Sequence, residues 1–228
     1  MASKTPHDHS SSSHRDNIPR GVPWSTLTMA ALALVLYLGA GPAAPAWVFD
    51  RAAVANGQWW RLVTGHLVHC DLSHLCWDVA GLMVLGWLFE DRFSHRQFLT
   101  IMASGMVAVN AWLWWGQAPL RYCGLSGLLN TLLAAGLIQQ WRNSRSVLIP
   151  IVGFAATLKV AWEALHHKAL FTATAWPAMP QAHAAGLSAG VMITLIWWHQ
   201  NSVYSPFGKV DRYNHKLLQD GSGIDIDH

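Results

Sequence analysis

The chain has 228 residues, 52% of them hydrophobic and only 12% charged, where an ordinary soluble domain carries roughly a quarter charged residues. Fifteen Lys and Arg against twelve Asp and Glu leave a net charge of +3 spread along the chain, which gives nucleic acid no basic block to bind. A mean hydropathy of +0.22 and fourteen Trp point to a bilayer as solvent, because Trp favours the water-lipid interface.

Residues 1–24 are polar, with a serine run and three histidines, and no cleavage-site pattern follows. They read as a disordered cytoplasmic tail rather than a signal peptide, with metal binding by the histidines as the alternative. Six candidate spans come next, each near the roughly 20 apolar residues that cross a core about 30 Å thick. They are Thr26–Gly41, Leu72–Phe89, Phe98–Trp115, Gly124–Trp141, Val147–Leu165 and Ala182–Trp198. Residues 25–200 thus form an all-α, six-helix membrane domain, and residues 201–228 a second cytoplasmic tail. No internal repeat supports a transporter built from two halves.

Loop charges orient the bundle. Lys4, Arg15, Arg20, Arg92, Arg96, Arg142, Arg145, Lys209, Arg212 and Lys216 fall on one side, and Arg51, Arg61, Arg121 and Lys168 on the other, with Lys159 inside a span. The positive-inside rule places both termini in the cytoplasm.

Ionisable residues inside spans are costly and should face the bundle interior. Ser126 stands in Gly124-Leu125-Ser126-Gly127 at the opening of the fourth span. There a hydroxyl meets the positive end of the helix dipole, and amide hydrogens could hold an oxyanion. Packing alone also explains such a small-residue turn. His183, Gly186 and Gly190 are spaced to share one face of the sixth span. If that face packs on the glycines of the fourth span, the imidazole meets Ser126 and can act as the base a serine needs. The bland alternative is an interfacial histidine bonded to a carbonyl.

In the second span His74 and Asp78 are four apart and stack on one side. Zinc is another use for His66, His69 and His74, but the HExxH pairing is absent. Lys159 and Glu163, also four apart on the fifth span, are expected to pair. Cys70, Cys76 and Cys123 make neither a disulfide framework nor a zinc spacing. Cys70 and Cys123 flank loops on the oxidising side and could meet, although free thiols are the expectation.

Together these segments resemble the rhomboid family of intramembrane serine proteases. The motifs are Trp60-Arg61 in the first loop, His69 and His74 five apart, Gly124-Leu125-Ser126-Gly127, and Ala182-His183 followed by Gly186 and Gly190. The resemblance implies a six-transmembrane-helix rhomboid-like bundle, with Ser126 as nucleophile and His183 as general base in a dyad. It implies no metal or organic cofactor. Its partners would be transmembrane protein substrates and the lipid bilayer, and its location a bacterial inner membrane.

One position departs. The family usually has Asn four residues after the second-helix histidine, where its amide helps hold the oxyanion, and this chain has Asp78. Either burial keeps Asp78 protonated, or it orients His74 and leaves the oxyanion to His74 and the Ser126 amide; the second is the preferred reading. That departure, the short chain and the sequence Tyr122-Cys123-Gly124-Leu125-Ser126-Gly127 resemble the rhombosortase branch, associated with substrates bearing a C-terminal Gly-Gly sorting tail. Lys159 and Glu163 would then fix helix packing or help read the substrate tail. The competing functions are a non-catalytic relative that binds single-span clients and, more remotely, a channel or transporter.

Overall fold

A computed structural model of the protein describes residues 21–116, 121–166, 168–170, 175–177 and 179–203. Most of the two expected tails lies outside the described residues. Four of the helix starts are marked by local chemistry. Helix α1, Trp24–Ala40, begins where the Glu90 carboxylate accepts the Ser25 and Thr26 N–H groups at 2.7 and 2.9 Å. Asp50 caps the short α2, Arg51–Ala55, and Asp71 caps α4, Leu72–Phe89. Between these two lies α3, Arg61–Thr64. A short 3-10 helix, Glu90–Arg92, leads to α5, His95–Trp115, which opens on a capping box of Ser94 and Gln97. Helices α6, Ser126–Ser144, α7, Leu148–His166, and α8, Pro180–Val203, complete the described residues.

The sequence reading expects six spans, and six helices of 17 residues or more stand at those places. Among the described residues, only three are long and apolar enough to cross a membrane by length and composition: Leu72–Arg92, His95–Trp115 and Leu148–His166. Helix α1 is shorter, and α6 carries Asn130, Gln139, Gln140 and Arg142. Position accounts for the composition of α6. It packs against α4, α5, α7 and α8, and a helix surrounded by protein need not match lipid on every side. Leu128, Thr131, Leu132 and Ala135 of α6 have no exposed surface. The outer helices show the reverse, with Val35, Leu38, Val107, Phe154, Leu158 and Leu165 exposed, as a lipid-facing surface requires.

The stretch from Gly57 to His69 lies ahead of the second span and folds as a loop around the short α3. Arg61 is buried and organises this loop, donating to the carbonyls of Pro45 and Val48 at 2.7 Å each and to Gln58 Oε1 at 2.7 Å. A two-residue antiparallel ribbon pairs β1, Phe49–Asp50, with β2, Arg121–Tyr122, in the register Phe49 to Tyr122 and Asp50 to Arg121. The ribbon ties the first loop to the residues that precede Ser126, and the Gly124 N–H adds a bond to the Gly65 carbonyl at 3.0 Å.

Candidate active site

Ser126 is the first residue of α6. N–H groups in the first turn of a helix have no intrahelical acceptor and point outward with the positive end of the dipole. The turn before it needs Gly124, whose φ of +111° is in the region that favours glycine and whose missing Cβ would lie 2.5 Å from His74 Nε2. The Tyr122 hydroxyl donates to the Gly124 carbonyl at 2.9 Å and helps fix the turn.

His183 enters from α8. Its Nε2 lies 3.0 Å from Ser126 Oγ. The approach depends on glycine: a Cβ on Gly186 would overlap the Gly127 carbonyl, and one on Gly190 would overlap that of Thr131. The expected packing of the α8 small-residue face against α6 is therefore what joins the two residues. Helix propensity plays no part in that choice, since α6 and α8 meet only through tertiary packing.

The other ring nitrogen, Nδ1, is 3.2 Å from Glu163 Oε2 on α7. Glu163 also faces Lys159 Nζ at 2.8 Å, as the four-residue spacing predicts, and accepts the Leu170 N–H at 3.0 Å. Beside the Ser126 and His183 pair that the resemblance implies, the imidazole therefore has a carboxylate on its far side. The carboxylate is 1% exposed while the Lys159 side chain is 31% exposed, so of this pair only Lys159 offers much surface to a substrate. No helical spacing links positions 163 and 183. The one signal was the cost of a buried glutamate, which calls for more partners than a single lysine.

On the opposite side, Asp78 Oδ2 accepts the Leu125 N–H at 2.6 Å, lies 3.1 Å from His69 Nε2 and stands 3.4 Å from His74 Nε2. The expected partnership of Asp78 with His74 is thus shared with His69 and with the backbone beside the serine. Sequence reasoning gave His69 no contact with Asp78, because it lies outside the helix and reaches Asp78 only through the fold. The three histidines considered for zinc do not converge: His66 packs edge-on against Tyr122 with ring centroids 5.3 Å apart. Among the described residues the group with metal-ligand spacing is Cys70, His74 and Cys123, whose ligand atoms all lie within 4.8 Å of one another.

Cys70 and Cys123 are free thiols that nonetheless adjoin. The Cys70 thiol is held below its ordinary range, first by its hydrogen bond with Cys123 and then, against the upward push of burial, by His74, whose Nδ1 is 3.2 Å from the sulfur. Burial raises the Asp71 carboxyl, but the N–H groups it accepts from Ala175 and His74 and the Cys70 thiol outweigh that and leave it below the usual range.

A cavity of about 390 Å³ opens over these groups, lined by Ser126, His183, His74, Lys159, Trp77 and Trp176 among others. It offers a hydroxyl with an imidazole within hydrogen-bond reach at the start of a helix, which is equipment suited to acyl transfer.

Parts of this chain are similar to known proteins. Over 100 residues the chain is 28% identical to "Rhomboid protease GluP" of Bacillus subtilis (strain 168), covering 43% of this chain and 19% of that protein. Over 78 residues it is 31% identical to YdcA of the same organism, named as a candidate rhomboid protease, covering 33% of this chain and 39% of that one. Both matches span less than half the length of the relative. The family model described as the Rhomboid domain matches residues 56–200, a stretch that holds Ser126, His183, His74, Asp78 and Glu163. With well over half of its length matched, this apolar, helical chain is an integral membrane protein that belongs to the rhomboid family.

Proposed function

We propose that the protein is an intramembrane serine endopeptidase that cleaves single-span membrane proteins near the outer membrane border. The observation that carries this reading is the 3.0 Å separation of Ser126 Oγ and His183 Nε2 beneath a cavity large enough for a peptide segment. His183 removes the Ser126 proton, and the alkoxide attacks a peptide carbonyl. The tetrahedral intermediate expels the amine, which takes its proton from His183, and an acyl-enzyme remains for water to hydrolyse. The Ser126 N–H and the His74 ring are the oxyanion donors, and losing one such donor costs roughly a hundredfold or more in rate.

The finer reading is a rhombosortase that processes C-terminal Gly-Gly sorting tails. It is supported by the lining of the cavity, where the bulky Trp77, Trp176 and Met179 share the walls with Ser126, a setting that suits residues without side chains about the scissile bond. Lys159, the half-buried and more accessible member of its pair, is the group available to a substrate tail. The six long helices are read as six spans in a bacterial inner membrane, with both termini cytoplasmic on the charge count above.

The second reading is a non-catalytic relative that holds membrane clients. It is favoured by one observation: the Asp78 carboxylate, in place of a neutral amide, lies beside the Ser126 turn and occupies the Leu125 N–H.

Cleavage in reconstituted bilayers decides between them. One fusion carries a Gly-Gly pair, an apolar anchor and a basic end; a second has a helix-breaking span and no glycine pair. Cutting of the first alone, lost in Ser126→Ala and His183→Ala, supports the rhombosortase reading. Cutting of both leaves a general rhomboid protease. Binding of the anchored tail with no cutting overturns the enzyme in favour of the client binder.

A further inference from the structure

The two oxygens of Glu163 are held differently. Oε1 accepts the Leu170 N–H at 3.0 Å and faces Lys159 Nζ at 2.8 Å. Oε2 faces His183 Nδ1 at 3.2 Å, and the far nitrogen of that ring reaches Ser126. Three helices are joined in one series, from Ser126 on α6 through His183 on α8 to Glu163 and Lys159 on α7. A salt pair serving helix packing alone would need Lys159 and Glu163, four apart on one helix, and would not aim the second oxygen at the imidazole.

We propose that Glu163 is a positioning residue for His183, which rests on the hydrolase reading above and extends it. A neutral imidazole carries one hydrogen, on either nitrogen. Only the ring with hydrogen on Nδ1 leaves Nε2 as an acceptor for the Ser126 proton. The Glu163 carboxylate selects that form by accepting the Nδ1 hydrogen. When Nε2 takes the serine proton the ring becomes a cation, and the carboxylate stabilises it without itself being protonated. Lys159 and the Leu170 amide fix Oε1 and so prevent the carboxylate from turning away.

This arrangement makes an asymmetric prediction for two variants. In Glu163→Gln, Lys159 and the Leu170 N–H are both donors, so the amide oxygen must take the Oε1 place. The amide nitrogen then faces Nδ1 with hydrogens of its own and forces the ring hydrogen onto Nε2, where it blocks proton abstraction. In Glu163→Ala the ring is free to take either form. Glu163→Gln should therefore be the more damaging change, lowering kcat by about a thousandfold or more with KM near that of the parent, while Glu163→Asp recovers part of the rate.

The test combines pH-rate profiles with nitrogen NMR of labelled His183 in reconstituted protein. Other ionisable groups lining the cavity are His74 and Asp78 of α4, Tyr122 and Cys123 before α6, and Lys159 of α7, and all are unchanged in these variants. Removing the negative neighbour should move the acid limb of the profile to lower pH in both Glu163→Ala and Glu163→Gln, which a mere packing defect would not do. The ring spectrum should show hydrogen on Nδ1 in the parent and on Nε2 in Glu163→Gln.

If Glu163→Gln cuts within threefold of the parent with an unmoved limb, or His183 keeps the same ring form in both, the proposal is overturned. The NMR arm reads the ring whether or not the parent cuts, so a parent that cleaves nothing sinks the hydrolase reading separately. Should Glu163→Gln fail to reconstitute, Glu163→Asp and Glu163→Ala carry the test: equal rates and identical limbs in the two would overturn the proposal.

Discussion

Gly186 lies so close to the Gly127 carbonyl that a single methyl group on it would overlap the oxygen. Gly127 directly follows Ser126 and Gly186 lies three residues, about one helical turn, after His183, so their contact sets the distance between base and nucleophile. Gly186→Ala should force α8 away from α6, with an overpacking cost of about 1–3 kcal/mol and loss of most cleavage. Gly153→Ala on α7, where a Cβ would meet Leu137 at an ordinary 3.8 Å, should fold and cut like the parent. Thermal unfolding and cleavage of the two variants side by side check both statements.

Asp78 is the acceptor of the Leu125 N–H next to the nucleophile and the partner of His69. Asp78→Asn keeps an acceptor oxygen of the same reach and should retain a folded protein with measurable cleavage. Asp78→Leu leaves a buried amide and a buried imidazole without their acceptor, at about 1–3 kcal/mol for each unsatisfied group. Its expected result is a lower unfolding temperature and at least a tenfold slower reaction. Equal unfolding temperatures for the two variants would contradict this account of Asp78.

Glu90 caps the start of α1 from the far end of α4, through two backbone N–H groups and the Thr26 hydroxyl at 2.6 Å. Glu90→Ala removes the acceptor of all three and should cost about 2–3 kcal/mol, as expected for hydrogen bonds to a charged group. The effect belongs on stability and on α1, and not on the bond-breaking step. Limited proteolysis near residue 24 should speed up while kcat of the folded fraction stays unchanged.

Two carboxylates outside the spans link stability to pH. Asp50 is held below the usual range by the Ala53 N–H and by Arg121, and Asp71 by the bonds already described. A carboxylate whose folded pKa lies below its unfolded value contributes stability that is present above the unfolded pKa, about 3.9, and lost as pH falls through the folded value. Asp71→Ala should thus be less stable than the parent by about 1 kcal/mol at pH 6 through loss of the α4 cap. That gap should narrow below pH 4, and thermal unfolding at pH 6 and pH 3 measures it.

Much of the site was legible from composition and spacing. Long apolar stretches broken by polar loops give helices wherever backbone groups have no water to bond, and the segments read from sequence correspond to α1, α4, α5, α6, α7 and α8. Spacing of three or four along one helix likewise predicts shared faces, and so His74 with Asp78, Lys159 with Glu163, and the stripe of His183, Gly186 and Gly190 were all visible. Tertiary packing decided which faces meet. It turned Glu163 toward His183, brought His69 from a loop to Asp78, set Cys70 beside Cys123, and closed the ribbon from Phe49 to Tyr122. Local periodicity reports the side of a helix on which a residue lies, whereas contacts across dozens of residues depend on how closely two helices can approach, and here that approach is set by glycines whose partners are carbonyl oxygens on another helix.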